Sequence, residues 1–167
     1  MSKLAAFLIL ALFVNCAAQS NAGAADIKTN KNIQSYTADL SGDGSKNIIK
    51  VEDKSATEQA FVLTISKENK KQIEKIESIS ISGKIKKLEL VDLNDDGKKQ
   101  IVLYFNSPDN LFNIAVYQMD NNQLGNIFSA KSPHTISGNF VVIPQIKIRN
   151  GEETSTWYWN GEKFIKG

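Results

Sequence analysis

The sequence predicts an all-β protein built from antiparallel, four-stranded, blade-like repeats in an incomplete, propeller-like arrangement. Three observations lead to this prediction. A segment with an acidic, glycine-containing turn occurs twice, at 39–47 and 92–100, with an offset of 53 residues. Short runs rich in β-branched and aromatic residues follow each turn. A second echo, between 81–83 and 136–138, indicates a third unit.

The N-terminal segment has the order of a secretion signal. Lys3 precedes an uncharged apolar run over 4–14, which is too short to span a bilayer, and small residues follow it. Cys16 could instead carry a lipid, but Asn15 stands where a lipoprotein signal has a small residue. We therefore expect a cleaved signal peptide over 1–25 and an exported chain, periplasmic or extracellular, with lipid attachment at Cys16 as the less favoured alternative.

The remaining chain, 26–167, is predicted to be a single β-repeat domain. Its repeats span about 33–82, 83–135 and a truncated 136–167. The second repeat is the most regular, with strand-like runs at 87–93, 100–105, 112–119 and 125–130. The first is less regular, because Ile73, Ile76 and Ile79 have helical spacing, and a strand is preferred there by analogy with the second repeat. Four short antiparallel strands per unit are typical of a propeller blade.

The third repeat is predicted to complete the fold without binding metal. An offset of 55 residues places Lys147 and Arg149 where the second repeat has its acidic loop, and cations would be repelled there. An Asn-Gly pair at 160–161 between apolar runs predicts a tight hairpin. Trp157 and Trp159 would share the buried face of this hairpin, because alternate residues of a strand point to the same side.

Both acidic turns have the ligand spacing of a calcium loop. Positions one, three, five and nine carry oxygen-bearing side chains, and position seven offers a main-chain carbonyl. Position six is Gly44 or Gly97, which can adopt a positive φ. Such a wrapped set of hard oxygens suits Ca²⁺. The predicted ligands are Asp39, Ser41, Asp43, Ser45 and Asn47 in the first loop, and Asp92, Asn94, Asp96, Lys98 and Gln100 in the second. Position twelve is Lys50 or Leu103 instead of a bidentate Glu, so neither loop is an EF-hand.

These loops, each between two predicted strands, resemble the FG-GAP and VCBS repeat family, the blades of integrin-like β-propellers. The family signature is D-x-[DN]-x-D-G-x-x-[DE]. The second loop departs from it only at Gln100, and the first departs at Ser41 and Asn47. The Phe-Gly and Gly-Ala-Pro elements of the FG-GAP motif are absent. The resemblance covers about 33–130 and implies a blade fold with weak structural calcium binding, because each loop supplies two carboxylates.

Three repeats are fewer than the roughly four to eight blades that close a propeller. The chain could form an open arc, fold into a compact domain, or complete a ring with another subunit as a homo-oligomer. The sequence leaves these three arrangements open.

Composition and residue types argue against several functions. A formal net charge of +2 from 20 basic and 18 acidic residues gives no reason to expect a nucleic-acid partner. His134, the single histidine, follows Pro133 and is expected in an exposed loop, so neither a zinc site nor a Ser-His-Asp triad is predicted. No transmembrane segment is predicted, and no catalytic residue is assigned.

The function predicted from the sequence is that of an exported, non-catalytic binding module with structural calcium loops. Its partner would be an unknown protein or glycan surface. The alternative is a hydrolase acting on envelope polysaccharide, or the accessory sugar-binding domain of one. The aromatic residues of the last hairpin could stack on sugar rings, but the alternation of Trp157, Tyr158 and Trp159 favours both tryptophans in the core and Tyr158 outside.

Overall fold

The structure is a computed structural model, and it describes residues 33–54, 59–69 and 72–167. The predicted signal peptide and Cys16 lie outside the described residues. In the part of the chain that is described, no helix is long and apolar enough to cross a membrane.

The described residues form three antiparallel four-stranded sheets, each made of four consecutive strands. This arrangement confirms the predicted all-β, blade-like fold. The first blade contains β1 (Ile33–Ala38), β2 (Asn47–Asp53), β3 (Ala60–Asn69) and β4 (Gln72–Ser82). The second contains β5 (Lys84–Val91), β6 (Gln100–Asn106), β7 (Phe112–Asp120) and β8 (Gln123–Ser132). The third contains β9 (Thr135–Asn139), β10 (Gln145–Asn150), β11 (Glu153–Trp159) and β12 (Phe164–Lys166).

The ambiguous isoleucine-rich stretch of the first blade is a strand. Ile73, Ile76 and Ile79 all lie in β4, which pairs with β3 over its whole length. A bulge between Ile65 and Ser66 shifts the register of this pair. The cross-strand partners in β3 therefore override the helical spacing, because strand propensity depends on the surface that the side chains pack against.

The second blade lies between the other two and is buried on both faces. In β6, Ile101 and Leu103 face the core shared with the first blade, whereas Val102 faces the core shared with the third. All three side chains are fully buried. Alternate residues of one strand thus hold the three sheets together in a face-to-face stack.

The two outer faces of the stack are mainly polar. On the first blade, Lys50 lies opposite Ser35 and Thr64 across the sheet, and all three point away from the core. On the third blade, Lys147 lies opposite Ser137 and Thr156 in the same way. Blades pack on one another through apolar faces. Terminal units of repeat proteins instead have polar outer surfaces. The outer faces of the first and third blades therefore resemble those of terminal units in repeat proteins.

The third blade corrects one prediction. Lys147 and Arg149 lie within β10 and do not occupy a loop. The connection between the first two strands of this blade is 140–144, three residues shorter than the 92–99 connection of the second blade. The offset of 55 residues fails because the two matched segments are not equivalent, since 81–82 end β4 whereas 136–138 lie within β9. In addition, β9 and the loop after it are each three residues shorter than their counterparts in the second blade. The blade also has all four strands, although β12 has only 3 residues.

Candidate functional site

Three loops lie at the same end of the stack, because each connects the first and second strands of its blade. We call them the first acidic loop (39–46), the second acidic loop (92–99) and the aliphatic loop (140–144), and together they form the loop end. The acidic loops touch each other. The amide of Lys99 donates a hydrogen bond of 2.8 Å to the carbonyl oxygen of Asp39, and a Cβ placed on Gly42 would lie 3.5 Å from Cβ of Lys98.

The carboxylate at position one organises each acidic loop in the same way. Oδ2 of Asp39 accepts a hydrogen bond of 2.7 Å from the amide of Gly44, and Oδ2 of Asp92 accepts one of 2.8 Å from the amide of Gly97. The predicted positive φ at position six is confirmed, with values of 79° for Gly44 and 85° for Gly97. The turn needs glycine there, because other side chains are strained in this region of φ.

The carboxylate at position five also accepts the same hydrogen bond in both loops. Oδ1 of Asp43 accepts a hydrogen bond of 2.8 Å from the amide of Ser45, and Oδ1 of Asp96 accepts one of 2.9 Å from the amide of Lys98. The Ser45 hydroxyl also donates to Asp43. The repeat detected in the sequence is therefore a repeat of hydrogen bonds as well as of residue types.

The position-nine side chains turn into the protein. Asn47 is 3% exposed and Gln100 is 0% exposed. Their carbonyl oxygens accept hydrogen bonds from the amides of Leu40 at 3.2 Å and Leu93 at 2.9 Å. These bonds close each loop onto its own strand. Nε2 of Gln100 has no hydrogen-bond partner among the described residues. At this ninth position, the family signature has a carboxylate instead of an amide.

Hydrogen bonding lowers the pKa of three loop carboxylates, those of Asp39, Asp43 and Asp92. Desolvation raises the pKa of Asp39, but hydrogen bonds from backbone amides, led by that of Gly44, outweigh it and the net pKa is lowered. The same balance lowers the pKa of Asp92, with the charge of Lys99 adding to the amides. Hydrogen bonds from the Ser45 hydroxyl and amide hold the pKa of Asp43 far below its ordinary value.

Both acidic loops offer oxygen atoms, the kind of ligand that a hard divalent cation prefers, but each loop offers few of them. Within the described ranges, no three His, Cys, Asp or Glu side chains come together to hold a metal, so each loop depends on two carboxylates and on neutral oxygens. Ammonium groups already lie beside those carboxylates. Nζ of Lys67 is 3.1 Å from Asp43, and Nζ of Lys99 is 3.4 Å from Asp92. A bound cation would have to displace them.

Position three differs between the two acidic loops. The Ser41 hydroxyl points into its own loop, toward Oδ1 of Asp39 at 3.5 Å. Asn94 instead points to the third blade, where its Oδ1 accepts a hydrogen bond of 2.7 Å from the indole Nε1 of Trp159. The side chain of Asn94, a predicted ligand, is thus held by a hydrogen bond from the third blade.

The aliphatic loop exposes three consecutive apolar side chains. Val141, Val142 and Ile143 are 89%, 86% and 59% exposed. The loop is nevertheless attached at both ends, because the Val141 amide donates to Oδ1 of Asn139 at 3.2 Å and the carbonyl oxygen of Pro144 accepts from the Trp159 amide at 2.9 Å. Such a held, exposed apolar segment is typical of an interaction site.

A groove of about 440 Å³ separates the aliphatic loop from the second acidic loop. Glu89, Asp92 and Lys99 line it on the second blade, and Asn139 and Val141 line it on the third. Charged and aliphatic side chains therefore face each other across the loop end.

The aliphatic loop was not predicted from the sequence. The run of two valines and an isoleucine before Pro144 has the composition of a buried strand. Pro144 was the available signal, since proline is excluded from central strands and marks the end of a loop here. His134 is exposed between β8 and β9, as predicted, and its Nδ1 accepts a hydrogen bond from the Gly151 amide.

The fold and the loops together define an all-β protein of three stacked blades, with acidic and aliphatic segments side by side at one end. No family model matches the sequence, and no curated protein matches it. Among solved structures, the chain is similar to PliI-Ah, a periplasmic inhibitor of I-type lysozyme from Aeromonas hydrophyla. The two share 15% sequence identity with a TM-score of 0.45, over 59% of this chain and 87% of that chain. A similarity this distant carries no argument about function.

Proposed function

We propose that this protein is an exported, non-catalytic binding module whose loop end contacts a protein partner. The observation that carries the proposal is the exposure of Val141, Val142 and Ile143 on a loop that is hydrogen-bonded at both ends. Exposing these side chains to water costs free energy, and a partner that buries them recovers it. Because the loop is already held in place, less conformational entropy is lost on binding.

The chemistry of the loop favours a protein over a glycan. Sugar recognition commonly uses aromatic faces and hydrogen-bonding side chains, whereas valine and isoleucine offer neither. Trp157 and Trp159 are partly buried against the core that the second and third blades share, as predicted, and Tyr158 is exposed on the outer face of the third blade. An apolar cleft on a protein is the surface that such a loop fits.

Calcium is proposed as a structural element of the acidic loops, in keeping with their resemblance to the FG-GAP and VCBS repeats. The cation would be held by the carboxylates at positions one and five and by the position-three and position-seven oxygens. The ion would supply positive charge that draws the loop oxygens together. Asn47 and Gln100 would support the loop from behind, through their hydrogen bonds to Leu40 and Leu93.

The alternative of a polysaccharide hydrolase has one feature in its favour, since Glu89 and Asp92 line the same groove. A glycosidase needs one carboxyl group that stays protonated to act as an acid. Asp92 does not suit that role, because its pKa is lowered and both its oxygens accept hydrogen bonds from backbone amides of its own loop. Glu89 is paired with Lys87 at 2.6 Å. This arrangement supports the binding module over the enzyme.

A site-specific photo-cross-linker tests the proposed binding surface. Benzoylphenylalanine at position 142 should give a covalent adduct of discrete mass in the cells that produce the protein. The same cross-linker at Ile165, exposed on the outer face of the third blade, is the matched control and should not give that adduct. Identical adducts from both positions, or none from position 142, would contradict the proposal.

A further inference from the structure

A pocket of about 460 Å³ lies between the second blade and β9 of the third. It has the size of a small-ligand site. The start of β5, the end of β6 and the start of β7 line it, so it lies at the end of the stack opposite the loop end. We call it the far pocket, and the residues that matter for its chemistry are Lys86, Lys87, Tyr104, Phe112, Ile136 and Gly138.

A β-bulge in β5 brings two consecutive lysines to the far pocket. The register of β5 on β6 shifts between Ile85 and Lys87, which leaves Lys86 without a partner in β6. Ile85 and Leu88 both pack in the core shared with the first blade, although residues three apart in a regular strand point to opposite faces. Lys86 and Lys87 both line the pocket on the other face of the sheet. The bulge therefore re-aims a side chain and places two cationic residues at one site.

The lining of the far pocket is positively charged. Nζ of Lys87 lies 2.6 Å from Oε1 of Glu89 and 5.7 Å from the centroid of the Tyr104 ring, so part of its charge is neutralised. Lys86 makes no ion pair with another described residue, and no Asp or Glu is among the described residues that line the pocket. Burial, followed by the charge of Glu89, raises the pKa of Tyr104, and its hydroxyl is therefore neutral. Lys86 is thus the cation that an anionic ligand would meet.

Aromatic rings and a close main-chain contact shape the pocket. Tyr104 is partly buried against the core that the second and third blades share, whereas Phe112 is 39% exposed. A Cβ placed on Gly138 would lie 2.5 Å from the hydroxyl oxygen of Tyr104. The glycine therefore lets the main chain of β9 approach this ring. Aromatic rings favour offset or edge contacts with a further ring.

We propose that the far pocket binds a small carboxylate that carries an aromatic ring, with the ring against Tyr104 and Phe112 and the carboxylate at Lys86. Lys87 is a secondary contact, because Glu89 already holds it. A neutral ligand would lose the ion pair, and an aliphatic anion would lose the ring contacts. The inference does not rest on the proposed function, because the far pocket and the loop end lie at opposite ends of the stack.

Titration with cinnamate, followed in ¹⁵N spectra, tests the site. The amide signals of 86–87, 104–106 and 136–138 should shift and saturate, with a dissociation constant of about a millimolar for a ligand of this size. Cinnamamide has the same ring and no charge, so it should bind about two- to fivefold more weakly, which is the effect of one exposed ion pair. Added salt should remove this difference. Either no saturable shift or equal affinity for both compounds at low salt would overturn the proposal.

Two variants separate the charge from the ring contact. Lys86→Gln should weaken cinnamate binding about two- to fivefold and leave cinnamamide binding unchanged, with a smaller effect for Lys87→Gln. Phe112→Leu keeps an apolar side chain and should weaken binding of both compounds about two- to tenfold. Lys50→Gln, on the outer face of the first blade, is the matched control and should bind as the unmutated protein does.

Unchanged affinity in both Lys86→Gln and Phe112→Leu, or shifts confined to 141–143, would show that cinnamate does not bind in the far pocket and would overturn the proposal. The cross-linking result at position 142 is decided separately, because none of these variants lies in the aliphatic loop.

Discussion

The backbone amide of Lys99 donates a hydrogen bond to the carbonyl oxygen of Asp39, at 2.8 Å, and so joins the two acidic loops through the main chain. The side chain of Lys99 meanwhile lies 3.4 Å from the carboxylate of Asp92. One residue thus links the first loop to the second and neutralises part of the second loop's charge. The two acidic loops therefore share a main-chain contact as well as a common end of the stack.

Calcium should stabilise the folded protein. At ten times its dissociation constant, Ca²⁺ should add about 1.4 kcal/mol per site to the free energy of unfolding, because it binds the folded state. The melting temperature should rise by a few degrees. Asp96→Ala should remove most of this gain and Asp43→Ala less. The second loop, which contains Asp96, has the amide oxygen of Asn94 at position three, and an amide oxygen is a better calcium ligand than the Ser41 hydroxyl of the first loop. Magnesium is the control ion, and equal melting curves in Ca²⁺ and EDTA would remove calcium from the function.

The loop lysines should compete with calcium. Lys99→Gln and Lys67→Gln each remove an ammonium group from a loop carboxylate, so calcium affinity should rise a few-fold, most clearly at low salt. Lys50→Gln is the control, because Lys50 lies on the exposed outer face of the first blade. Calorimetric titration checks this, and an unchanged affinity in both loop variants would show that the cation binds elsewhere.

The loops should lose their contribution to stability in acid. The folded-state pKa values of Asp39, Asp43 and Asp92 lie below the ordinary value of 3.8. Their stabilisation is therefore complete above about pH 4 and is lost as the pH falls through the lowered values. Denaturant unfolding between pH 7 and pH 2 should show this decline.

Asp92→Asn should make that decline shallower, because the variant has no proton to take up at this position. Asp120→Asn, at the exposed end of β7, is the matched control for loss of one carboxylate. Identical pH profiles for the unmutated protein and Asp92→Asn would contradict a role for this carboxylate in folding.

The last hairpin should be essential for folding. Deletion of 154–167 removes Trp157 and Phe164, whose rings lie 5.4 and 5.0 Å from the ring of Phe128. Exposing that aromatic core should abolish the cooperative thermal transition. Phe164→Ala alone should cost about 3 to 5 kcal/mol, whereas Ile165→Ser, on the outer face, should stay within about 0.5 kcal/mol. A cooperative transition that survives the deletion would mean that the third blade is dispensable.

The mature protein should begin between Gln19 and Asp26 and carry no lipid. The prediction follows from the small residues after the apolar run and from Asn15 before Cys16. Intact mass of the product purified from its native cells measures it. A diacylglycerol adduct on Cys16 would place the protein at a membrane surface instead.

The local structure of this protein could be predicted from its amino-acid sequence. Strand runs, turns and the two acidic loops were predictable because each depends on residues close together in the chain. Gly44 and Gly97 adopt the positive φ that the turn requires, and Asp39 and Asp92 accept the amides of their own loops. These are contacts over a few positions, which composition and spacing specify directly.

The surfaces that these elements present depend on how the sheets pack against one another and could not be predicted from local sequence. Gln100 has the spacing of a ligand, yet packing of the second blade on both faces buries it. Valine is a residue type usually found in the core, yet the short connection between β9 and β10 leaves Val142 exposed to solvent. The bond from Trp159 to Asn94 spans 65 positions, and nothing in either local segment specifies it. Such pairs form only when whole sheets stack, because burial is a property of the assembled core and not of the residue.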